Sequence, residues 1–247
     1  MRNRRIALIL AGVSVWACVG VSFAQGDKTA APTTPYSTRD LTGTWMGDRI
    51  GGKINPGDMV MTPWAQAKYD AFVKLGDGRA KMDPRRDCFP LGTLRNMFEP
   101  VPIEILQAPD QVVILMENDH FVRHIPLDKA EHTKDVNPSW MGDSIGHWEG
   151  DTLVVDTIAL RGETFLDFVG HPHTPNLHLI ERFKRTDANT LDDETTVDDP
   201  KAYVKPFVIQ KIYRLKPGWH VMEHVCEDEW TDKLKKYYPD GYFDGVQ

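Results

Sequence analysis

From residue 103 onward the apolar positions recur with a period of two, the alternation of strands buried on one face. Residues 103–106 and 111–117 read as strands joined at Ala108-Pro109-Asp110, and 120–125 as a third. Residues 145–148 and 152–158 form a hairpin over Glu149-Gly150-Asp151, and 177–186 and 191–197 another over Asp187-Ala188-Asn189. Residues 207–215 and 220–227 read as a last hairpin over Lys216-Pro217-Gly218. Long polar loops, 126–141 and 159–176, interrupt the series. Before residue 103 the pattern is mixed. Residues 41–46 read as a strand, followed by a loop with Gly51, Gly52, Pro56 and Gly57. Thr62-Pro63 is a helix start, with Thr62 as N-cap and Pro63 at the first helical position. Trp64, Ala67, Ala71 and Leu75 share one face of that helix, and Gly76-Asp77-Gly78 ends it. Residues 79–102 read as irregular.

Successive hairpins without crossover helices give an antiparallel meander. Eight to ten strands in that order hide their edges by closing. The expected fold is therefore mainly β, an antiparallel meander closed into a lipocalin- or calycin-like barrel, with one short N-terminal helix. No internal repeat is visible.

The N-terminus follows other rules. Arg2, Arg4 and Arg5 precede a nearly unbroken apolar run over 6–21, and Ser22-Phe23-Ala24 places small residues where a signal peptidase reads them. Residues 1–24 thus read as a secretory signal peptide, 25–39 as a linker and 40–247 as one domain; an uncleaved anchor is the competing reading. Export implies a periplasmic or secreted protein, with no membrane span after cleavage. Losing the signal removes three arginines and no acid, so the formal net charge of −7 falls to near −10. Such a surface repels phosphate backbones, which excludes a nucleic-acid partner. Cys88 and Cys226 remain, either as a disulfide suited to an oxidising compartment or as two buried thiols.

The stretch Pro138-Ser139-Trp140-Met141-Gly142-Asp143-Ser144-Ile145-Gly146-His147-Trp148-Glu149-Gly150-Asp151-Thr152-Leu153-Val154-Val155-Asp156-Thr157 resembles that of a large, mostly uncharacterised family of secreted bacterial β proteins. The likeness continues through Gly170-His171-Pro172-His173, Leu177-His178, Glu181-Arg182-Phe183 and Asp198-Asp199-Pro200-Lys201-Ala202-Tyr203. It implies export and a β fold and brings no activity. That family commonly has Arg at the position of His147, and Arg or a similar residue at that of His124. Gly43-Thr44-Trp45 resembles the lipocalin G-x-W signature, three residues that agree with a meander.

Candidate chemistry gathers on histidines and on charges set among apolar positions. His171, His173 and His178 fall within eight residues and offer a possible metal set, although no H-E-x-x-H or Cys/His signature accompanies them. His173 and His178 are also proton carriers suited to neutral pH. Over 177–183, Glu181 shares a face with Leu177, Leu179 and Phe183, and His178 lies on the other face with Arg182. A carboxylate in an apolar series is either a general acid or base with a raised pKa or a salt-bridge partner. Asp156 lies beside Val154 in the same way, and Arg123 shares a face with Phe121 and Ile125 and needs a carboxylate or an anionic substrate. His120 and Trp148 complete the expected binding groups. No G-x-S-x-G, G-x-G-x-x-G or P-loop is present, so no cofactor is expected.

The expectation is an exported, cofactor-independent enzyme doing acid–base chemistry (lyase, isomerase or hydratase) on a small organic molecule or sugar derivative. His173, His178, Glu181 and Asp156 are its catalytic candidates, and Arg123, Arg182, His120 and Trp148 its substrate-binding candidates. The alternatives are a small-ligand carrier without catalysis and a metal-dependent enzyme using His171, His173 and His178.

Overall fold

Ten strands in one antiparallel sheet carry the chain, in the order β5-β4-β3-β1-β10-β9-β8-β7-β6, with β2 paired to β10 off that path. They are β1 (Gly43–Gly47), β2 (Lys53–Ile54), β3 (Ile103–Gln107), β4 (Gln111–Met116), β5 (Val122–Pro126), β6 (Asp143–Glu149), β7 (Thr152–Ile158), β8 (His178–Asp187), β9 (Thr190–Asp198) and β10 (Phe207–Leu215). The helices are α1 (Pro63–Lys74), a 3-10 turn at Pro84–Asp87, α2 (Thr93–Met97) and a 3-10 turn at Asn118–His120. This computed structural model describes residues 36–48, 52–54, 57–76 and 83–224. The expected signal peptide, residues 25–35 of the linker and Cys226 lie outside the described residues. Cys88 is disulfide-bonded.

The period-two pattern folds as its alternation dictates. Along β10, Phe207, Ile209, Lys211 and Tyr213 are buried and alternate with exposed or half-buried residues; along β8 the same holds for Leu179, Glu181, Phe183 and Arg185. The sheet curls until its end strands meet, so the meander is nearly closed into a barrel. Backbone pairing stops at β5 and β6, and side chains bridge the seam: Arg123 Nε on β5 donates to Ser144 Oγ on β6 at 3.1 Å. Gly146 permits this approach, because a Cβ there would stand 2.7 Å from Ile125 Cγ2.

Several expectations need correction. The irregular 79–102 stretch contains α2, and Leu91 to Glu99 are all buried. Leu91, Leu94, Met97 and Phe98 carry no β period, yet they pack against the inward-facing strand residues. The Met97 carbonyl accepts from Lys211 Nζ at 3.1 Å and from Tyr213 Oη at 2.6 Å. The barrel is thus filled by its own chain, and the helix count exceeds the single one expected.

The hairpin expected to end the chain is absent among the described residues, where 220–224 form no strand. The free edge of β10 is taken by β1 instead, with Trp45 opposite Leu215. The loop after β1 also contributes β2, opposite Ile209 and Gln210. Tyr36 to Arg39, the end of the expected linker, lie against the barrel: the Arg39 carbonyl accepts from Gln107 Nε2 at 3.0 Å, and the Arg185 guanidinium stacks over Tyr36 at 5.1 Å.

Helix α1 starts as read. Thr62 caps it, accepting from the Ala65 amide at 3.3 Å, and Pro63 opens it. Its packed face differs from the expected one, because Ala65 and Phe72 are buried while Trp64 and Leu75 are about 43% exposed. Phe72 seats on Gly170, where a Cβ would meet the ring at 2.2 Å and φ is +93°. That contact hangs α1 on the 159–177 loop and leaves its other face over open space.

Candidate functional site

The open space is a cleft of about 940 Å³ between α1 and the loop after β7. Trp64, Phe72, Leu75, Phe165, Pro172 and Pro175 make its apolar wall. Polar groups on it are few: Lys68, Lys201, Glu163, Thr164, Thr174 and His173. An apolar concavity with a small set of polar groups is the usual form of a small-molecule site.

The loop is held rigidly. Asp167 Oδ1 accepts from the amides of Val169, Gly170 and His171, and Asp167 Oδ2 binds His171 Nδ1 at 2.5 Å. His171 stacks on Tyr69 of α1, with centroids 4.7 Å apart and planes 2° from parallel. On the far side buried Asp199 accepts from the Thr174 amide at 2.6 Å and from Thr174 Oγ1 at 3.0 Å. His173 lies inside this wall, 5% exposed, with Nδ1 3.2 Å from the Thr174 carbonyl and Nε2 2.7 Å from Thr164 Oγ1. A carbonyl only accepts, so Nδ1 carries the proton and Nε2 receives the Thr164 hydroxyl. Burial holds the pKa of His173 below its ordinary value, against the opposing pull of the Thr174 carbonyl. The imidazole is therefore neutral and fully engaged, a post of the cleft wall.

A second constellation lies on the outer face of β6, β7 and β8. Asp156 on β7 stands opposite Ile180 of β8 and Ile145 of β6, so His178 and Asp143 are its diagonal neighbours on either side. His178 Nε2 donates to Asp156 Oδ1 at 2.7 Å. His132, from the loop before β6, inserts between the carboxylates, with Nε2 3.0 Å from Asp156 Oδ1 and Nδ1 3.1 Å from Asp143 Oδ2. Carboxylates only accept, so this geometry uses His132 as a donor at both nitrogens. Asp143 also accepts from the Thr133 amide at 2.8 Å. Burial works against its ionisation, but the hydrogen bonds from Thr133 and His132 outweigh that and hold its carboxyl below the usual range. Asp143, His132, Asp156 and His178 thus form one hydrogen-bonded chain, half-buried at Asp143 and His132 and 35% exposed at His178.

The barrel interior holds a third group of charges. Arg123 donates to both Glu181 carboxylate oxygens, at 2.8 Å from Nη1 and more closely still from Nη2, and to Thr157 Oγ1 at 2.7 Å. Both partners are 1% exposed. Nearby, burial and then the charge of Glu181 push the Asp193 carboxyl well above its ordinary pKa, and burial brings the Lys211 amine down to about 8.

Of the residues singled out in the sequence, His178 and Asp156 meet directly. Glu181 and Arg123 pair with each other on the opposite side of the sheet, away from His178 and from the cleft. His173 belongs to the cleft wall. Arg182 pairs with Glu149 at 2.5 Å on the outer face, and Trp148 packs on the core under the Arg39 guanidinium, 4.9 Å from its centroid. His120 is exposed on a surface depression with Leu115 and Phe121. His171, His173 and His178 have separate partners and do not converge. Among the described residues no group of three or more His, Cys, Asp or Glu side chains is placed to hold a metal ion. The sequence reading missed His132, which carries no periodic signal in its polar loop. Asp143 stood inside the long motif without a distinguishing mark.

That motif has a physical reading. Its two acid–hydroxyl steps, Asp143-Ser144 and Asp156-Thr157, cross the sheet in the same sense: the acids point out to His132, and the hydroxyls point in to Arg123.

No helix among the described residues is long and apolar enough to cross a membrane. No family model matches the sequence, and no curated protein matches it. Among solved structures the chain is similar to a secretary abundant heat soluble (SAHS) protein from Ramazzottius varieornatus, at 12% identity and TM-score 0.36, over 73% of this chain and 100% of that one. Secretory abundant heat soluble protein 4 from the same organism is similar at 11% identity and TM-score 0.36, over 74% of this chain and 99% of that one.

Proposed function

We propose that this protein is an exported small-molecule binder whose ligand occupies the external cleft under α1, without chemical conversion. The cleft of about 940 Å³ carries this reading, because the barrel interior, where a lipocalin-like carrier would hold its cargo, is filled by α2. The wall is pre-formed and buttressed by Asp167 and Asp199, which limits the ordering that binding requires. Export follows from the reading of residues 1–24 as a signal, and the 138–157 motif is the mark of the secreted family that the chain resembles.

One observation favours a second reading, acid–base catalysis of the lyase, isomerase or hydratase kind. In the Asp143–His132–Asp156–His178 chain, Asp156 fixes His178 through Nε2, while Nδ1 has no hydrogen-bond partner among the described residues. An imidazole oriented by a carboxylate is the usual equipment of a general base.

Calorimetric titration of the mature protein with amphipathic small molecules, followed by recovery of the bound compound, separates the two. Binding that Leu75→Glu weakens more than about 10-fold, with the compound recovered unchanged, is the expected result. Conversion of the compound that vanishes in His178→Ala would replace the first reading by the second.

A further inference from the structure

Every charged group on the cleft has an account except two lysines. Glu163 is tied to Arg161, at 2.7 and 3.3 Å, and both are held at the surface. His173 is neutral, for the reasons given above. Lys68 and Lys201 line the cleft, are exposed, and make no side-chain ion pair or hydrogen bond among the described residues. They come from two different elements of the cleft. Lys68 is on α1; Lys201 is on the loop after β9, whose backbone is clamped to the start of α1 by Thr62 Oγ1 to the Lys201 carbonyl at 2.8 Å and by the Thr62 amide to the Ala202 carbonyl at 2.9 Å. The first turn of α1 contributes no acidic side chain to offset them. The chain as a whole is acidic, with 36 acidic against 29 basic residues, so two cations without a side-chain partner among the described residues, at the rim of an apolar cleft, form a local positive field.

We propose that the cleft takes an amphipathic anion, an acyl or aryl body on the Trp64–Phe72–Leu75 wall with one carboxylate or phosphate head between Lys68 and Lys201. This rests on the cleft being the binding site. The apolar body supplies the affinity by leaving water. The lysines select the charge sign, since a cationic head is repelled and a neutral one gains nothing from them.

The test is calorimetric titration of the mature protein with dodecanoate, dodecyl phosphate, dodecanol and dodecyltrimethylammonium at low salt. The expected result is binding of at least one anion about 10-fold tighter than dodecanol, with the cation weakest; the tighter anion identifies the head group. Lys68→Gln and Lys201→Gln should each weaken the anion by about 3- to 5-fold, the range of an exposed ion pair, and leave dodecanol unchanged. Dodecanol binding as tightly as both anions, or both lysine variants matching the wild type, overturns the charge selection and leaves the cleft as the site. Leu75→Glu leaving every titration unchanged overturns the cleft itself.

Discussion

His178 and Glu181 stand three residues apart on β8, and the sheet sends them to opposite environments. Glu181 is 1% exposed inside the barrel, gripped by Arg123, while the His178 side chain is 35% exposed outside and bonded to Asp156. Each faces an oppositely charged or polar partner at hydrogen-bonding distance, so contact type does not distinguish them. What differs is the cost of losing the partner. A buried charge without its counter-charge has no water to turn to, whereas a half-exposed one is resolvated. The interior pair is therefore a closure device for the β5–β6 seam, whereas the exterior chain and the cleft face solvent.

The sharpest way to break this contrast is Glu181→Gln. It leaves Arg123 buried without a counter-charge, at a cost of about 3–5 kcal/mol. At about 2–4 °C per kcal/mol for a chain of this size, Tm should fall by roughly 10 °C in scanning calorimetry, with ligand binding per folded molecule unchanged. A fall of under 2 °C would show that the seam closes without this pair.

Next in size is His173→Ala, which removes both wall hydrogen bonds and leaves the Thr164 hydroxyl without its acceptor. The expected loss is about 2 kcal/mol, together with weaker binding in the cleft. An unaltered Tm would contradict its placement in the wall.

A smaller effect comes with pH. Because burial holds the folded pKa of His173 below 6.5, the unfolded chain takes up the proton first as pH falls through 6.5. Stability should then decline on the acid side of that value until the folded state is protonated as well. Comparison of Tm between pH 7.5 and pH 5.5 should show a steeper acid-side decline in the wild type than in His173→Gln. Parallel curves would remove His173 as the cause.

The smallest expected effect belongs to the outside. His178→Ala should change stability by less than about 1 kcal/mol, since its ion pair with Asp156 is half-exposed. A Tm loss matching that of Glu181→Gln would erase the contrast between the two faces.

The division of β8 into one face with Glu181 and Phe183 and another with His178 and Arg182 was legible in the alternation alone, because successive strand side chains point to opposite faces whatever the partner strand is. Asp156, read beside Val154 as a carboxylate in an apolar series like Glu181, instead faces outward to His178. The hairpins over Gly150 and over Asp187-Ala188-Asn189 were legible for the same local reason, as turn residues bounded by period-two runs. The start of α1 was readable in Thr62-Pro63, since capping is decided by neighbours in the chain. The face it packs with was not: Trp64 and Leu75 carried the apolar period, yet Gly170, about a hundred residues away, chose Phe72.

The sequence by itself determined most of the strands, the division of each into two faces and the antiparallel meander, all of which depend on neighbours within a few residues. Tertiary structure alone decided that β1 rather than a C-terminal strand pairs with the edge of β10, that α2 fills the barrel, that His132 drops between Asp143 and Asp156, and that the cleft lies outside. Those outcomes depend on which distant groups compete for the same edge, cavity or lone pair, and no spacing along the chain records that competition.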